Sequence, residues 1–327
     1  MSWKRLALLV ITGVLAASGF SFVATGDGAK PIIRPTALWK RPDDIQTRNL
    51  FYGPGGEAGQ PKGPFNFIEE DHGGTSPKFV VKDSRGVRWK VKLGPEAIPD
   101  TAATRLLWAV GYYVDVNYYL PQVQVSGLPK LSRGQKYVSP DGTVRGARLE
   151  RTLKKSEDWS WFDNPFVGTR EFNGLRVMMA FMNKWDLKQQ NNAVYDQRDQ
   201  EQHYFVSDLG DTFGKTGSIL SRSKGNVRDF VKSKFIDHVS GSNVDLVMHS
   251  RPPILCVFNV PYYVERTRME KVSEHIPRAD ARWIGQWLAR LSNNQLADAF
   301  RAAGFTSEEV NAYVGKLRER INQLNEL

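Results

Sequence analysis

Asn183-Lys-Trp-Asp186-Leu-Lys188-Gln-Gln-Asn191, followed after a short polar turn by Tyr204-Phe-Val-Ser-Asp208-Leu-Gly210, is the stretch around which the chain is organised. Its chemical content is two carboxylates, a lysine and an asparagine, with the first carboxylate, the lysine and the asparagine spaced as Asp186-x-Lys188-x-x-Asn191. Tyr204 to Val206 reads as a strand, so Asp208 stands just past a strand end, followed by Leu-Gly. A carboxylate placed there is suited to hold a divalent ion over a cleft.

Immediately upstream, residues 168–182 have helical spacing, with Leu175, Met178, Met179 and Met182 on one side. A methionine stripe of this kind belongs to a core. This helix delivers the chain directly into Asp186. Downstream, residues 211–234 are rich in Ser, Gly, Lys and Arg, the composition of a mobile loop over a site. Gly214-Lys-Thr216 within it is not a phosphate-binding P-loop, because Leu209 stands where the first glycine is required. The tail from Ala279 is helical. Ser292 with Gln295 and Thr306 with Glu309 predict two capping boxes, and Gly304 separates the two helices.

Working back toward the N-terminus, residues 87–93 alternate with period two. Strands are expected over Phe65–Glu70, Lys78–Lys82 and Val87–Leu93. The first turn carries Gly73-Gly74, where backbone N–H groups can approach phosphates without side-chain obstruction. In the third strand Trp89, Val91 and Leu93 share one face and Arg88, Lys90 and Lys92 the other. Lys92, nearest the strand end, is the candidate to reach phosphate oxygens. A helix follows from Asp100, a plausible N-cap, to Gly111 at its C′ position, and is expected to pack on the strands. Either Glu96 or Asp100 would pair with Lys92. Strands over Tyr118–Val125 and Val144–Glu150 complete the first lobe.

The first residues read as an address. Lys4 and Arg5 precede an uncharged run from Leu6 to Ala24, the pattern of a signal peptide or a retained N-terminal anchor. Both place the bulk of the chain outside the cytoplasm, as a periplasmic or secreted protein, with the membrane touched only through that anchor. The expected organisation is residues 1–24 as signal or anchor, 25–64 as a Gly/Pro-rich linker or wrapping arm, 65–153 as one lobe and 154–327 as a second. The 327 residues carry a formal charge of +10, which suits an anionic ligand. The basic residues are spread out, so nucleic acid is not an expected partner. Cys256 is the single cysteine, which excludes an intrachain disulfide and a cysteine zinc cluster, and its apolar surroundings suggest a buried thiol. The five histidines lack zinc-protease spacing, and no Gly-x-Ser-x-Gly occurs.

Taken in order, the glycine turn, strand lysine, helix, Asp-x-Lys-x-x-Asn, hairpin and Asp-Leu-Gly resemble the protein-kinase-like superfamily. Asp186 to Asn191 resembles a kinase catalytic loop, and Asp208-Leu-Gly210 resembles the DFG motif with Leu for Phe. Lys184-Trp185 replaces the usual His-Arg, the glycine turn is not Gly-x-Gly-x-x-Gly, and no Ala-Pro-Glu follows. These departures resemble the atypical branches, such as HipA-type, phosphoinositide-type or secretory-pathway kinases. The resemblance implies an α+β, two-lobed kinase-like fold, with a small antiparallel-sheet N-lobe bearing one helix and a larger, mainly helical C-lobe. It implies ATP and Mg²⁺ as cofactors, with nucleotide and a hydroxyl-bearing protein or small molecule as partners. Asp186 and Lys188 would be catalytic, Asn191 and Asp208 metal ligands, and Lys92, Gly73, Gly74 and Glu96 nucleotide contacts. A catalytically inactive pseudokinase and an extracytoplasmic anionic-ligand binding protein are the alternative expectations.

Overall fold

A computed structural model describes residues 34–197, 201–217, 222–248 and 259–327. The signal or anchor segment, His249 and Cys256 lie outside the described residues. Residues 34–327 form one unit. It opens with β1 (Thr36–Ala37), then β2 (Phe65–Asp71), β3 (Lys78–Lys82), β4 (Arg88–Leu93), α1 (Ala97–Ala109), β5 (Asn117–Ser126) and β6 (Thr143–Arg151). Then come α2 (Arg170–Phe181), β7 (Asn192–Asp196), β8 (Gln202–Val206), α3 (Val227–Lys232), β9 (Ile236–Ser240), β10 (Asn243–Leu246) and α4 (Val260–Glu270). β11 (Ile276–Pro277), α5 (Arg278–Ala289), α6 (Asn293–Arg301) and α7 (Ser307–Glu326) complete it. This is the α+β, two-lobed architecture expected from the sequence.

The strands of the first lobe do more than form an open sheet. They close into a barrel in the order β2-β3-β4-β6-β5, the last closure being a short parallel pairing of Phe65 and Asn66 with Val125 and Ser126. Closure removes the exposed edges of a small sheet. The alternation read in β4 holds: Trp89, Val91 and Leu93 are buried inside the barrel with Phe79, Val81 and Val123. On the opposite face Arg88 is exposed and Lys90 half-buried, but Lys92 is buried, so that face is not uniformly solvated.

The covering of Lys92 comes from α1. Glu96 occupies the N-cap position, so Asp100 is not the cap but a buried first-turn residue. One side of α1 meets the barrel through polar groups: Arg105 donates to the Asn117 carbonyl at 2.6 Å, and Asp100 pairs with Arg148 at 2.8 Å. Its apolar side, including Ala103, Leu106, Leu107 and Val110, belongs to the core of the helical lobe. The helix therefore joins the two lobes rather than serving the strands alone. Gly111, at φ +100°, turns the chain out of it where a Cβ would meet the Lys40 carbonyl at 2.3 Å.

Residues 36–64 wrap the body. Thr36 and Ala37 pair in parallel with β8, Leu38, Ile45 and Leu50 are buried, and Gln295 donates to the carbonyls of Ile45 and Arg48. In α2, Thr169 caps Phe172 N–H, and Leu175, Met178, Met179 and Met182 are fully buried. Each such side chain stabilises the fold by roughly 1.5–3 kcal/mol. Both capping boxes form, on α6 through Ser292 and Gln295 and on α7 through Thr306 and Glu309. The 211–234 segment is not a mobile loop throughout: Phe213 is buried against Phe230, Phe300 and Tyr313, and α3 is capped by Asn226.

Candidate active site

The chain leaves α2 through Asn183, which adopts a left-handed φ of +56°. Asn183 donates to the Gly214 carbonyl at 2.6 Å, and the fully buried Arg320 of α7 donates to Asn183 Oδ1 at 3.0 Å and to the Phe181 carbonyl at 2.7 Å. A cation at the C-terminal end of α2 satisfies carbonyls the helix leaves unpaired. The next residues are thereby set in a fixed direction.

Asp186 is pinned through its own backbone. Its N–H donates to Asp211 Oδ2 at 2.6 Å, and its carbonyl accepts from Lys184 Nζ at 2.8 Å and Asn191 Nδ2 at 2.9 Å. Lys184 is buried and also bonds Asp211, closing a small network under the loop. Burial pushes the Asp211 carboxyl up to about 6 against the pull of Lys184. The Asp186 carboxylate faces Arg266 Nη2 at 2.9 Å and Lys188 Nζ at 3.6 Å. Burial opposes its charge, but Lys184, Arg266 and Lys188 outweigh it and hold its carboxyl below the usual carboxylate range. It is an anion suited to orienting a hydroxyl.

Asp208 follows β8 with a left-handed φ of +49°. Its Oδ1 lies 2.5 Å from Lys92 Nζ, while about half of the side chain, 49%, faces open space. Lys92 also meets Glu96 Oε2 at 2.8 Å and Asp100 Oδ2 at 3.6 Å, so both carboxylates weighed as its partner engage it. Burial pulls the Lys92 ammonium down, but Asp100, Asp208 and Glu96 together raise it well above the ordinary lysine value. Although half of its side chain is open, the cavity walls around Asp208 oppose its charge, and Lys92, Lys184 and Arg148 outweigh them and hold its carboxyl far below the usual range. For Glu96, burial is outweighed by Lys92 and Lys224, and its carboxyl falls to about 2. Gly210 is explained by a close approach: a Cβ there would stand 2.5 Å from Glu96 Cβ and 3.0 Å from the Glu96 carbonyl.

These groups converge. One cavity of about 630 Å³ is lined by Gly74, Lys92, Glu96, Asp186, Lys188, Asn191 and Asp208. Of the residues expected as catalytic groups, metal ligands or nucleotide contacts, Gly73 stands back from it. Its N–H is taken by Asp71 Oδ1 at 2.8 Å, so Thr75 and Ser76, not Gly73, continue the cavity wall beyond Gly74. The turn is tied from behind by Arg133, which donates to the Gly74 carbonyl at 2.6 Å and to the Asp71 carbonyl at 3.2 Å.

Several site residues were not legible in the sequence. Asp211 and Arg266 contact Asp186 from distant parts of the chain, and no short motif marks either. Arg148 bridges Asp100 and Glu150, at 2.8 and 2.7 Å, and its place in an alternating strand was the only signal. Asp115 is buried in the cavity wall and accepts from Tyr195 Oη at 3.3 Å; burial first, then Glu150, pushes its carboxyl up to about 7.

The donor set suits a hard cation. Asp208 offers a half-exposed carboxylate and Asn191, whose Nδ2 is committed to Asp186, offers its amide oxygen in the same cavity. Magnesium takes oxygen ligands and is held by one or two protein groups alongside phosphates. Among the described residues no cluster of three or more His, Cys, Asp or Glu side chains forms a cage for a metal.

No family model matches the chain, and no curated protein matches it. Solved structures do. The chain is similar to a Helicobacter pylori proinflammatory kinase, CtkA, at 10% identity, covering 80% of this chain and 96% of that one with a TM-score of 0.45. It is similar to the Rio2 kinase–ADP/Mg²⁺–phosphoaspartate complex from Chaetomium thermophilum, at 12% identity over 79% and 72% of the two chains, TM-score 0.31. A third is the amicoumacin kinase hAmiN in complex with AMP-PNP, Ca²⁺ and Ami, at 10% identity over 81% and 90%, TM-score 0.21.

Proposed function

We propose that the protein is an Mg-ATP-dependent phosphotransferase of the atypical kinase type, acting on a hydroxyl group. The observation that carries this reading is the convergence of Lys92, the Asp186–Asn191 segment and Asp208, from three separate parts of the chain, on one cavity. Lys92 contacts the nucleotide phosphates, braced by Glu96 and Asp100. Asp208 and Asn191 would hold the metal, which would supply neutralisation of phosphate charge. Gly74, Thr75 and Ser76 cover the phosphates from the barrel side. Lys188 stabilises the transferring group, and Asp186 orients the acceptor. The acceptor oxygen bonds to the γ-phosphorus, the bond from that phosphorus to the β–γ bridging oxygen breaks, and ADP departs. The hydroxyl proton passes to Asp186 or to solvent. Such a site works by positioning and charge neutralisation.

The test is Asp186→Asn. Transfer of the γ-phosphoryl group from ATP, followed as autophosphorylation or ATP hydrolysis, is expected to fall about 10²-fold or more, with Mg·AMP-PNP still bound. Equal transfer rates in the two proteins would remove Asp186 from the mechanism.

We further propose that the protein works outside the cytoplasm, a reading supported by Lys4, Arg5 and the uncharged run from Leu6 to Ala24. Cell fractionation is expected to find it in the periplasm, the medium or the membrane, and recovery from the cytosol alone would contradict this.

A further inference from the structure

We infer that the acceptor is itself anionic, carrying a phosphate or carboxylate group beside the hydroxyl that is phosphorylated. This inference rests on the phosphotransferase reading above. On the barrel side both buried cations that line the cavity have carboxylates close by: Lys92 has Glu96, Asp100 and Asp208, and Arg148 has Asp100 and Glu150. The helical side differs. Trp185, the residue before Asp186, carries Arg222 at 4.2 Å and Lys224 at 5.5 Å over its ring, with Arg266 at 5.4 Å. All three cations line the cavity with Asp186 and Lys188. Lys224 reaches across to Glu96, and Arg266 meets Asp186.

Arg222 is the residue that the reaction scheme leaves unused. Among the described residues it has no carboxylate partner. Its polar contact is with Tyr262 Oη at 3.3 Å, and its Nε is buried without a hydrogen bond. Lys224 and Arg266 each have a carboxylate, so of the three cations gathered on the indole it is Arg222 whose charge is left unmatched among the described residues. The transferring phosphoryl group is matched by Lys92 and Lys188 in the proposed scheme. A second anion, on the acceptor, accounts for Arg222. A guanidinium also presents planar paired donors that suit phosphate or carboxylate geometry. Its place beside the residue preceding Asp186 puts that anion next to the hydroxyl being oriented.

The experiment uses the full chain saturated with Mg·AMP-PNP and titrated with inorganic phosphate by calorimetry. Phosphate is expected to bind to the nucleotide-loaded protein. Arg222→Gln should weaken that binding about tenfold or more, and Arg222→Lys, which keeps the charge, less than Arg222→Gln does. If phosphate and AMP-PNP exclude one another, or if phosphate binds the loaded wild type and the Arg222→Gln protein equally, the inference is overturned. Failure of the loaded wild type to bind phosphate at all overturns it without recourse to a variant. Failure of the wild type to take up Mg·AMP-PNP is a different result, and contradicts the phosphotransferase reading itself.

Discussion

At the scale of single residues, the site depends on side chains that are charged because of their neighbours. Glu96 shows this most clearly, since it joins Ser76, Lys92 and Lys224 at one carboxylate. Its carboxyl falls from an ordinary 4.5 to about 2, against burial, because Lys92 and Lys224 face it. A carboxyl depressed on folding contributes stability that is fully present above its unfolded value, and loses it as pH falls through the folded one. The window for Glu96 therefore runs from pH 4.5 down to about 2. Glu96→Gln is expected to lower stability near neutrality by up to about 3 kcal/mol and to flatten the acid limb of the stability curve in that window. Urea unfolding of both proteins across this range checks it, and parallel acid limbs would contradict the assignment. Of the residues named in the sequence, Lys92, Asp186, Lys188, Asn191 and Asp208 were legible because each belongs to a short motif or a strand end. Asp211, Arg266 and Asp115 were not, because their roles arise only when distant segments fold together.

At the scale of elements, the barrel and helix positions followed from periodicity and capping residues. Closure of the barrel did not, because it rests on two residues of parallel pairing between β2 and β5 that no local pattern announces. The packing of α1 on the strands expected from the sequence holds for its polar side, while its apolar side enters the helical core, since helical spacing identifies a buried face and not what covers it. The excursion between β5 and β6 acquires a use in the same way. Its Ser132 donates to Glu70, and its Arg133 holds the carbonyls behind the glycine turn. In the proposed function Arg133 is a positioning residue for the turn that would cover the phosphates. Arg133→Gln is expected to weaken Mg·AMP-PNP binding about tenfold while leaving the rate of transfer at saturating ATP within about twofold. A fall in rate at saturation, with affinity unchanged, would show that the turn is positioned by other means.

At the scale of the whole molecule, α1, the 34–64 arm and the helices of the second lobe share one core. The two walls of the cavity are therefore joined by packing as well as by the ion pairs of Lys92 with Asp208 and Lys224 with Glu96. In the proposed function this cavity binds a metal–nucleotide complex through Asp208 and Asn191. Calorimetric titration of the full chain with AMP-PNP, with and without Mg²⁺, tests it most directly when repeated on Asp208→Ala. Mg²⁺-dependent binding by the wild type, and its loss in the variant, is the expected result. Equal binding of Mg·AMP-PNP by the two proteins would contradict it.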